Sequence, residues 1–299
     1  MLKTQLNSDS SFIIKSQNSK IILDPVSTEP GFDFGIITHL KPDSIIFKPD
    51  PLNYPVFVSQ DLFLLLQKLI RSQIIKAIKH HLKIIPYNYA QELNDISVTA
   101  YMNEDGLTGS LALLIKNEEA AIGYCRRFDI GGLHKRRINK WKKKLKAENI
   151  SALYLGEEMF DSPATNIASA RGLYKHLEKE LADSTSPKIS FAASPWQIDI
   201  LHQFNKIGND MGYKVGWLPG FTELLSYFYP EENFDAALSS SDKELVQTKN
   251  FEAPTINVAR HSLTGLDNLS LLNNSVASLT KSDQNNFFKY FGKDQVHLI

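Results

Sequence analysis

Short apolar bursts separated by polar turns open the chain. The bursts FII (12–14) and IIL (21–23) flank the polar turn QNSK, a pattern that predicts a β-hairpin over Ser11–Leu23 ended by Asp24-Pro25. Gly35–Thr38, Ser44–Phe47 and Pro55–Ser59 read as further buried strands, with Pro42, Pro49, Pro51 and Pro55 favouring extended or turn conformations between them. From Gln60 to Leu82 the spacing turns helical, with Leu62, Leu65, Leu66, Leu69, Ile70, Ile74 and Ile78 on one face and His80-His81 at the end. A second set of strands is expected at Ile96–Tyr101, Leu111–Ile115 and Ala120–Tyr124, then a basic helix over His134–Glu148 and a strand at Ala152–Leu155.

From Ser162 the pattern alternates. Helices at Ala168–Leu181, Gln197–Met211 and Phe221–Tyr229 interleave with strands at Lys188–Ala192 and Lys214–Leu218, the rhythm of a small parallel-sheet module. The acidic, serine-rich stretch Pro230–Pro254 reads as a loop or linker. The end predicts strand Thr255–Val258, helix Leu266–Leu272, strand Val276–Ser278, helix Asp283–Phe291 and strand Gln295–Ile299.

Composition removes several classes without choosing one. The 299 residues hold 33 basic and 33 acidic side chains, and 15 Gly and 13 Pro are too few for a disordered or collagen-like chain. With Cys125 as the single cysteine, no intrachain disulfide and no multi-cysteine zinc site can form, and the expected state of that thiol is buried and inert. No apolar run reaches the roughly 18 residues of a membrane helix, and no apolar stretch follows the start, so the expectation is a cytoplasmic protein with no membrane partner.

Eight motifs in order carry a resemblance. IILDP is followed by ITHLKPDS and YPVFVSQDLFLLL, then by NEDGLTGSLALLI, YCRRFDIGGLH and ALYLGEE, and finally by ARHSLTGLDNLSLL and SVASLTKSDQNNFF. In this order the segments resemble the metallo-β-lactamase fold, in particular its β-CASP branch of nucleases such as ribonuclease J. The resemblance implies an α/β fold, a metallo-β-lactamase-like αββα sandwich carrying a reduced β-CASP-like α/β insertion. Residues 1–161 would form the first part of the sandwich, 162–254 the insertion and linker, and 255–299 the return segment that completes it.

Members of that family hold two divalent ions on imidazoles and carboxylates and attack a phosphodiester with a bridging hydroxide. Carried over by position, the resemblance keeps His39 and Asp43 as family ligands but places Lys41 and Ser44 where two histidines belong. Glu104 stands at the turn histidine, Arg127 at the bridging aspartate and Leu279 at the last histidine, so five of seven ligand positions differ. Protonated Lys and Arg have no lone pair for a metal and repel a dication. The expectation is therefore a remnant site of His39, Lys41, Asp43, Ser44, Glu104, Arg127 and His261, with no metal and no cofactor, in which Lys41 and Arg127 pair with Asp43 and Glu104. The plain alternative is a set of exposed loop charges. In a further alternative, an altered ligand set of His39, Asp43 and Glu104 holds zinc or manganese in an active hydrolase.

Charge is concentrated at one further place. HKRRINKWKKKLK holds eight basic residues and no acid between Lys135 and Lys146. Lys135, Arg136, Arg137, Lys140, Lys142, Lys143 and Lys144 are candidate contacts to RNA or single-stranded DNA, because clustered cations release counterions from a phosphate backbone. The competing reading is a solvated face on a packed helix whose buried stripe is Ile138, Trp141 and Leu145. His261, at the family's SGHA turn, would contact a scissile phosphate there or else serve as a packing histidine. Together these expectations describe a catalytically degenerate relative that binds nucleic acid or a phosphate-containing ligand. Its rivals are an active metal-dependent nuclease and a structural partner subunit of an active homologue.

Overall fold

The computed structural model describes residues 2–41, 43–156, 169–183, 188–235, 244–250, 267–269, 285 and 288–299. The chain divides into two compact units, one of residues 1–64, 78–164 and 278–299, the other of residues 65–77 and 165–277.

The first unit is built on two six-stranded sheets. One contains β1 (Lys3–Leu6), β2 (Phe12–Lys15), β3 (Lys20–Leu23), β4 (Phe34–Ile36), β5 (Val56–Ser59) and β6 (Leu82–Ile85) in chain order. β1, β2 and β3 pair antiparallel, confirming the Ser11–Leu23 hairpin, and β3 to β6 run parallel. In the other sheet, β7 (Ala90–Leu93), β8 (Ile96–Met102), β9 (Leu111–Lys116) and β10 (Ala121–Cys125) are antiparallel. Parallel strands β11 (Ala152–Leu155) and β16 (Val296–Leu298) extend it from β10.

Strand β9 shows why the apolar run LALLI is continuous. Leu111, Leu113 and Ile115 join Ile14, Ile21, Phe34, Ile36 and Phe57 in a core drawn from both sheets. Ala112 and Leu114, pointing the other way, pack with Ile138, Trp141 and Leu145 of the basic helix. Both faces are buried, so no polar position interrupts the strand. The α/β sandwich expected from the motif order is the architecture observed.

The second unit carries a four-stranded parallel sheet in the order β13 (Lys214–Gly216), β14 (Glu244–Asn250), β12 (Lys188–Ala193) and β15 (Asp267–Leu269). Helices bounded by described residues include α1 (Gln60–Arg71), α2 (Arg136–Ala147), α3 (Ala170–Asp183), α4 (Ile198–Asp210) and α5 (Phe221–Phe228). In α4, Asn205 faces inward, and its Oδ1 accepts a hydrogen bond from Trp217 Nε1 at 3.0 Å.

Several expectations need correction. The predicted helix over Gln60–Leu82 ends at Arg71, because Gln73 takes a left-handed φ of 56° and the amides of Gln73 and Ile74 turn back onto Ile70 and Leu69. Ile74 and Ile75 are buried all the same, which is why their spacing imitated more helix. Residues 45–47 form a 3-10 turn, Glu244–Asn250 is an inner strand within the predicted linker, and Asp267–Leu269 is extended where a helix was expected. A strand between two parallel neighbours is held by its ladder, so the polar sequence ELVQTKN gives little sign of it. The strands expected at Thr255–Val258 and Val276–Ser278 lie outside the described residues.

Candidate functional site

Asp24 follows β3 with a left-handed φ of 49° and turns its buried carboxylate onto the segment after β4. Its Oδ1 accepts from the Thr38 amide at 2.7 Å, and its Oδ2 accepts from the Thr38 hydroxyl at 2.7 Å and the Tyr124 hydroxyl at 2.9 Å. Three donors stabilise the carboxylate and fix the backbone that presents His39. His39 is 5% exposed, with Nδ1 3.2 Å from Thr38 Oγ1 and 3.6 Å from Asp24 Oδ2. The Thr38 proton is committed to Asp24, so Nδ1–H is the donor in that contact and Nε2 keeps its lone pair. No described residue bonds to Nε2.

One carboxylate and three cations act on this imidazole. Burial does most to push His39 down to about 4; Asp24 pulls the other way, while Arg127, Lys41 and Arg126 push it lower. At neutral pH the ring is therefore uncharged. Lys41 sits 3.7 Å from Asp43, whose side chain is 57% exposed, so this pair is a solvent-screened one. Ser44 is buried and opens the turn, its amide bonded to the Lys41 carbonyl at 3.0 Å. Arg126 Nη1 reaches the Ser10 carbonyl at 3.4 Å. The guanidinium of half-buried Arg127 makes no hydrogen bond to another described residue.

A second loop, residues 103–110, closes beside the first. It is tied at its base by Asn103 N to the Ser110 carbonyl (3.0 Å) and to residue 38 by Leu111 N to the Thr38 carbonyl (2.7 Å). Glu104 is buried and works on the backbone: Oε1 accepts from the Gly106 amide at 3.0 Å and Oε2 from the His134 amide at 2.8 Å. A Cβ on Gly132 would meet Glu104 Cγ at 2.6 Å, so that turn requires glycine. The expected partnership of Glu104 with Arg127 is not among the described contacts; Arg127 acts electrostatically on the next residue, Asp105. Asp105 Oδ1 accepts from the Leu107 amide at 3.0 Å, whereas Oδ2 and the neighbouring Ser110 Oγ are buried without a hydrogen-bond partner. Ser110 lies near enough to favour the Asp105 carboxylate slightly, but the two side chains stop short of hydrogen-bond geometry. Burial raises Asp105 to about 7 against the opposing pull of Arg127, and raises Asp129, also close to Glu104, to about 6.

The basic helix is anchored to this loop. Asn103 Oδ1 accepts from Trp141 Nε1 at 3.1 Å, and its Nδ2 donates to the Arg127 carbonyl at 2.5 Å. Ile138, Trp141 and Leu145 are buried, while Lys135, Arg136, Lys140, Lys143, Lys144 and Lys146 are exposed; Arg137 and Lys142 are half-buried, Lys142 lying 4.9 Å from the Tyr290 ring centre. Three basic residues at the positive end of the helix dipole, with no acid in the first turn, oppose helix stability. Cys125 is buried, its thiol pushed well up by burial, and it touches the Arg127 carbonyl through Sγ at 3.4 Å. His261 and Leu279 lie outside the described residues.

The described residues do not by themselves form a dinuclear metal centre. Among the described residues no three His, Cys, Asp or Glu side chains converge as metal ligands. The carboxylates that could serve are already committed, Asp24 to Thr38 and Tyr124, and Glu104 to two backbone amides. Arg126 and Asp105 were not among the residues singled out from sequence, and Asp24 entered only as the acid that ends the IILDP strand.

No protein-family model and no curated protein matches the sequence. Among solved structures, a protein of unknown function from Enterococcus faecalis V583 aligns over 97% of this chain and 84% of its own, with a TM-score of 0.62 and 13% identity, so the two share a fold. The metallo-β-lactamase fold protein YhfI from Bacillus subtilis aligns over 48% of this chain and 61% of its own, at a TM-score of 0.33 and 17% identity. Zn2+-bound PqqB from Methylobacterium extorquens aligns over 50% and 62%, at 0.32 and 12%. No helix among the described residues is long and apolar enough to cross a membrane.

Proposed function

We propose that the chain is a catalytically degenerate metallo-β-lactamase/β-CASP-like protein that binds a single-stranded nucleic acid. The observation that supports this reading is electrostatic: Lys41, Arg126 and Arg127 all act on an uncharged, buried His39, and the resemblance expects metal ligands at positions 41 and 127. Such a group attracts phosphate oxygens and repels a divalent ion. The exposed cations of α2 continue the attraction outward, and the Trp141–Asn103 hydrogen bond holds that helix to the loop beside Arg127. Basic residues kept at the unfavourable end of the helix dipole support a role outside stability.

Retention of single-stranded RNA on the immobilised full chain tests this. The wild type is expected to bind at low salt and to release as salt rises. Reversing Lys140, Lys143 and Lys144 to Glu should weaken retention and reduce the slope of log K against log salt by about 2, from about 0.7 for each phosphate no longer neutralised. Unaltered retention in the triple variant, or none in the wild type at low salt, contradicts the reading and leaves a structural partner subunit as the alternative.

A further inference from the structure

Tyr290 stands beside the basic helix with its ring partly in solvent. It lies in the helical segment 288–291 and is 36% exposed, while the next residue, Phe291, is buried in the core that also takes Ile138, Trp141 and Leu145 of α2. The shared core sets the two segments side by side. Lys142 Nζ lies 4.9 Å from the Tyr290 ring centre, and the Phe291 ring meets Tyr290 edge-on, with centroids 5.0 Å apart and planes at 75°.

Lys142 belongs to one flank of α2. Lys135, Asn139, Lys142 and Lys146 recur at i, i+4, i+7 and i+11, so they form a stripe about 16 Å long on the side of the helix that borders Tyr290. Lys135, Asn139 and Lys146 are exposed, and Lys289 adds an exposed cation next to the tyrosine in sequence. Glu148, the acid that follows α2, is bonded to Lys116 at 2.7 Å. An aromatic ring with a cation over it, at the edge of a row of cations, offers what a nucleotide needs: a plane for the base and a charge for the phosphate joined to it. Trp141 cannot supply the plane, because it is buried and its Nε1 donates to Asn103.

We infer that Tyr290 is a stacking platform for an unpaired base, and that the flank of Lys135, Lys142 and Lys146 holds the phosphates on either side of it. The partner so defined is a strand with accessible base faces. A polyanion without bases would meet only the cations. Stacking uses a π-face rather than hydrogen-bonding edges, so the platform tolerates any base. This inference rests on the reading that α2 binds a single-stranded nucleic acid, and it adds the residue that makes binding depend on bases and not on charge alone.

Fluorescence anisotropy on the full chain with two labelled strands of equal length, an oligouridylate and an abasic ribose-phosphate strand, tests it. At one salt concentration the wild type should bind the oligouridylate about fivefold or more tightly than the abasic strand, the smallest effect expected of one stacked base. Tyr290→Ala should remove that advantage while leaving the affinity for the abasic strand and the slope of log K against log salt unchanged. Tyr290→Phe should retain it. Tyr290→Leu keeps apolar cover over Phe291 without a π-face, so it should lose the advantage and still report if Tyr290→Ala melts early. Equal wild-type affinity for the two strands, or an undiminished preference in Tyr290→Leu, overturns the inference. The α2 triple variant separates the two claims. If the wild type holds both strands equally and the triple variant releases both, only the inference falls; if the wild type holds neither at low salt, the nucleic-acid reading falls with it.

Discussion

Replacing Gly109 by alanine is expected to lower stability by about 2–5 kcal/mol, the sum of a left-handed backbone cost and a forced displacement. Gly109 has a φ of 82°, and a Cβ there would fall on the Leu62 backbone nitrogen, 2.6 Å from Ser59 Oγ and 2.8 Å from Leu62 Cβ. Those neighbours cannot yield cheaply. Ser59 Oγ donates to the Gly109 carbonyl at 2.6 Å and accepts from the Leu62 amide at 3.0 Å, capping the first turn of α1. Gly31 provides the control, with a φ of 87° and nothing within 4 Å of the point a Cβ would occupy. Gly31→Ala should cost only about 1 kcal/mol. Urea denaturation of both variants measures the difference, and equal costs would show that loop 103–110 does not press on α1 as described.

Asp105→Asn is expected to stabilise the protein at pH 8 and to do nothing at pH 4. The folded chain holds the Asp105 proton up to about pH 7, whereas the unfolded chain releases it near 3.8. Between those values the native state binds more protons than the unfolded state, so stability falls as pH rises, and the loss is complete above pH 7. At about 1.4 kcal/mol per unit, the penalty removed by Asn is on the order of 2–4 kcal/mol. The amide retains the Oδ1 acceptor for Leu107 N. His39 acts in the opposite sense, its depressed value making stability rise between about pH 4 and 6.5. The wild-type profile is thus a composite, and the informative quantity is the difference between wild type and Asp105→Asn across pH 4–8. A flat difference would remove the buried, unpaired carboxyl from the account.

How far the sequence reached can be judged from particular residues. The run LALLI and the FII/IIL pair specified their strands, because burial on both faces of β9 and a short polar turn leave few other solutions. Helix α1 was read too long because Ile74 and Ile75 are buried by packing outside the helix, which periodicity does not distinguish. At the site, the loop with His39, Lys41 and Asp43 was legible, since local spacing carries it. The partnership expected between Arg127 and Glu104 is not among the described contacts. Glu104 is spent on the amides of Gly106 and His134, and the carboxyl on which Arg127 acts electrostatically is that of Asp105. Such a choice between adjacent carboxylates is made by the fold of the turn and by Gly132, which is remote in the chain.

The proposal that Lys41 and Arg127 stand where the family this sequence resembles holds metal ions is tested most directly by metal content. The full-length protein, purified without chelator, incubated with zinc and manganese and then exchanged into metal-free buffer, should carry far less than one ion per chain. Near-stoichiometric zinc or manganese that is lost in His39→Ala would contradict the account and restore a metal-dependent hydrolase with an altered ligand set.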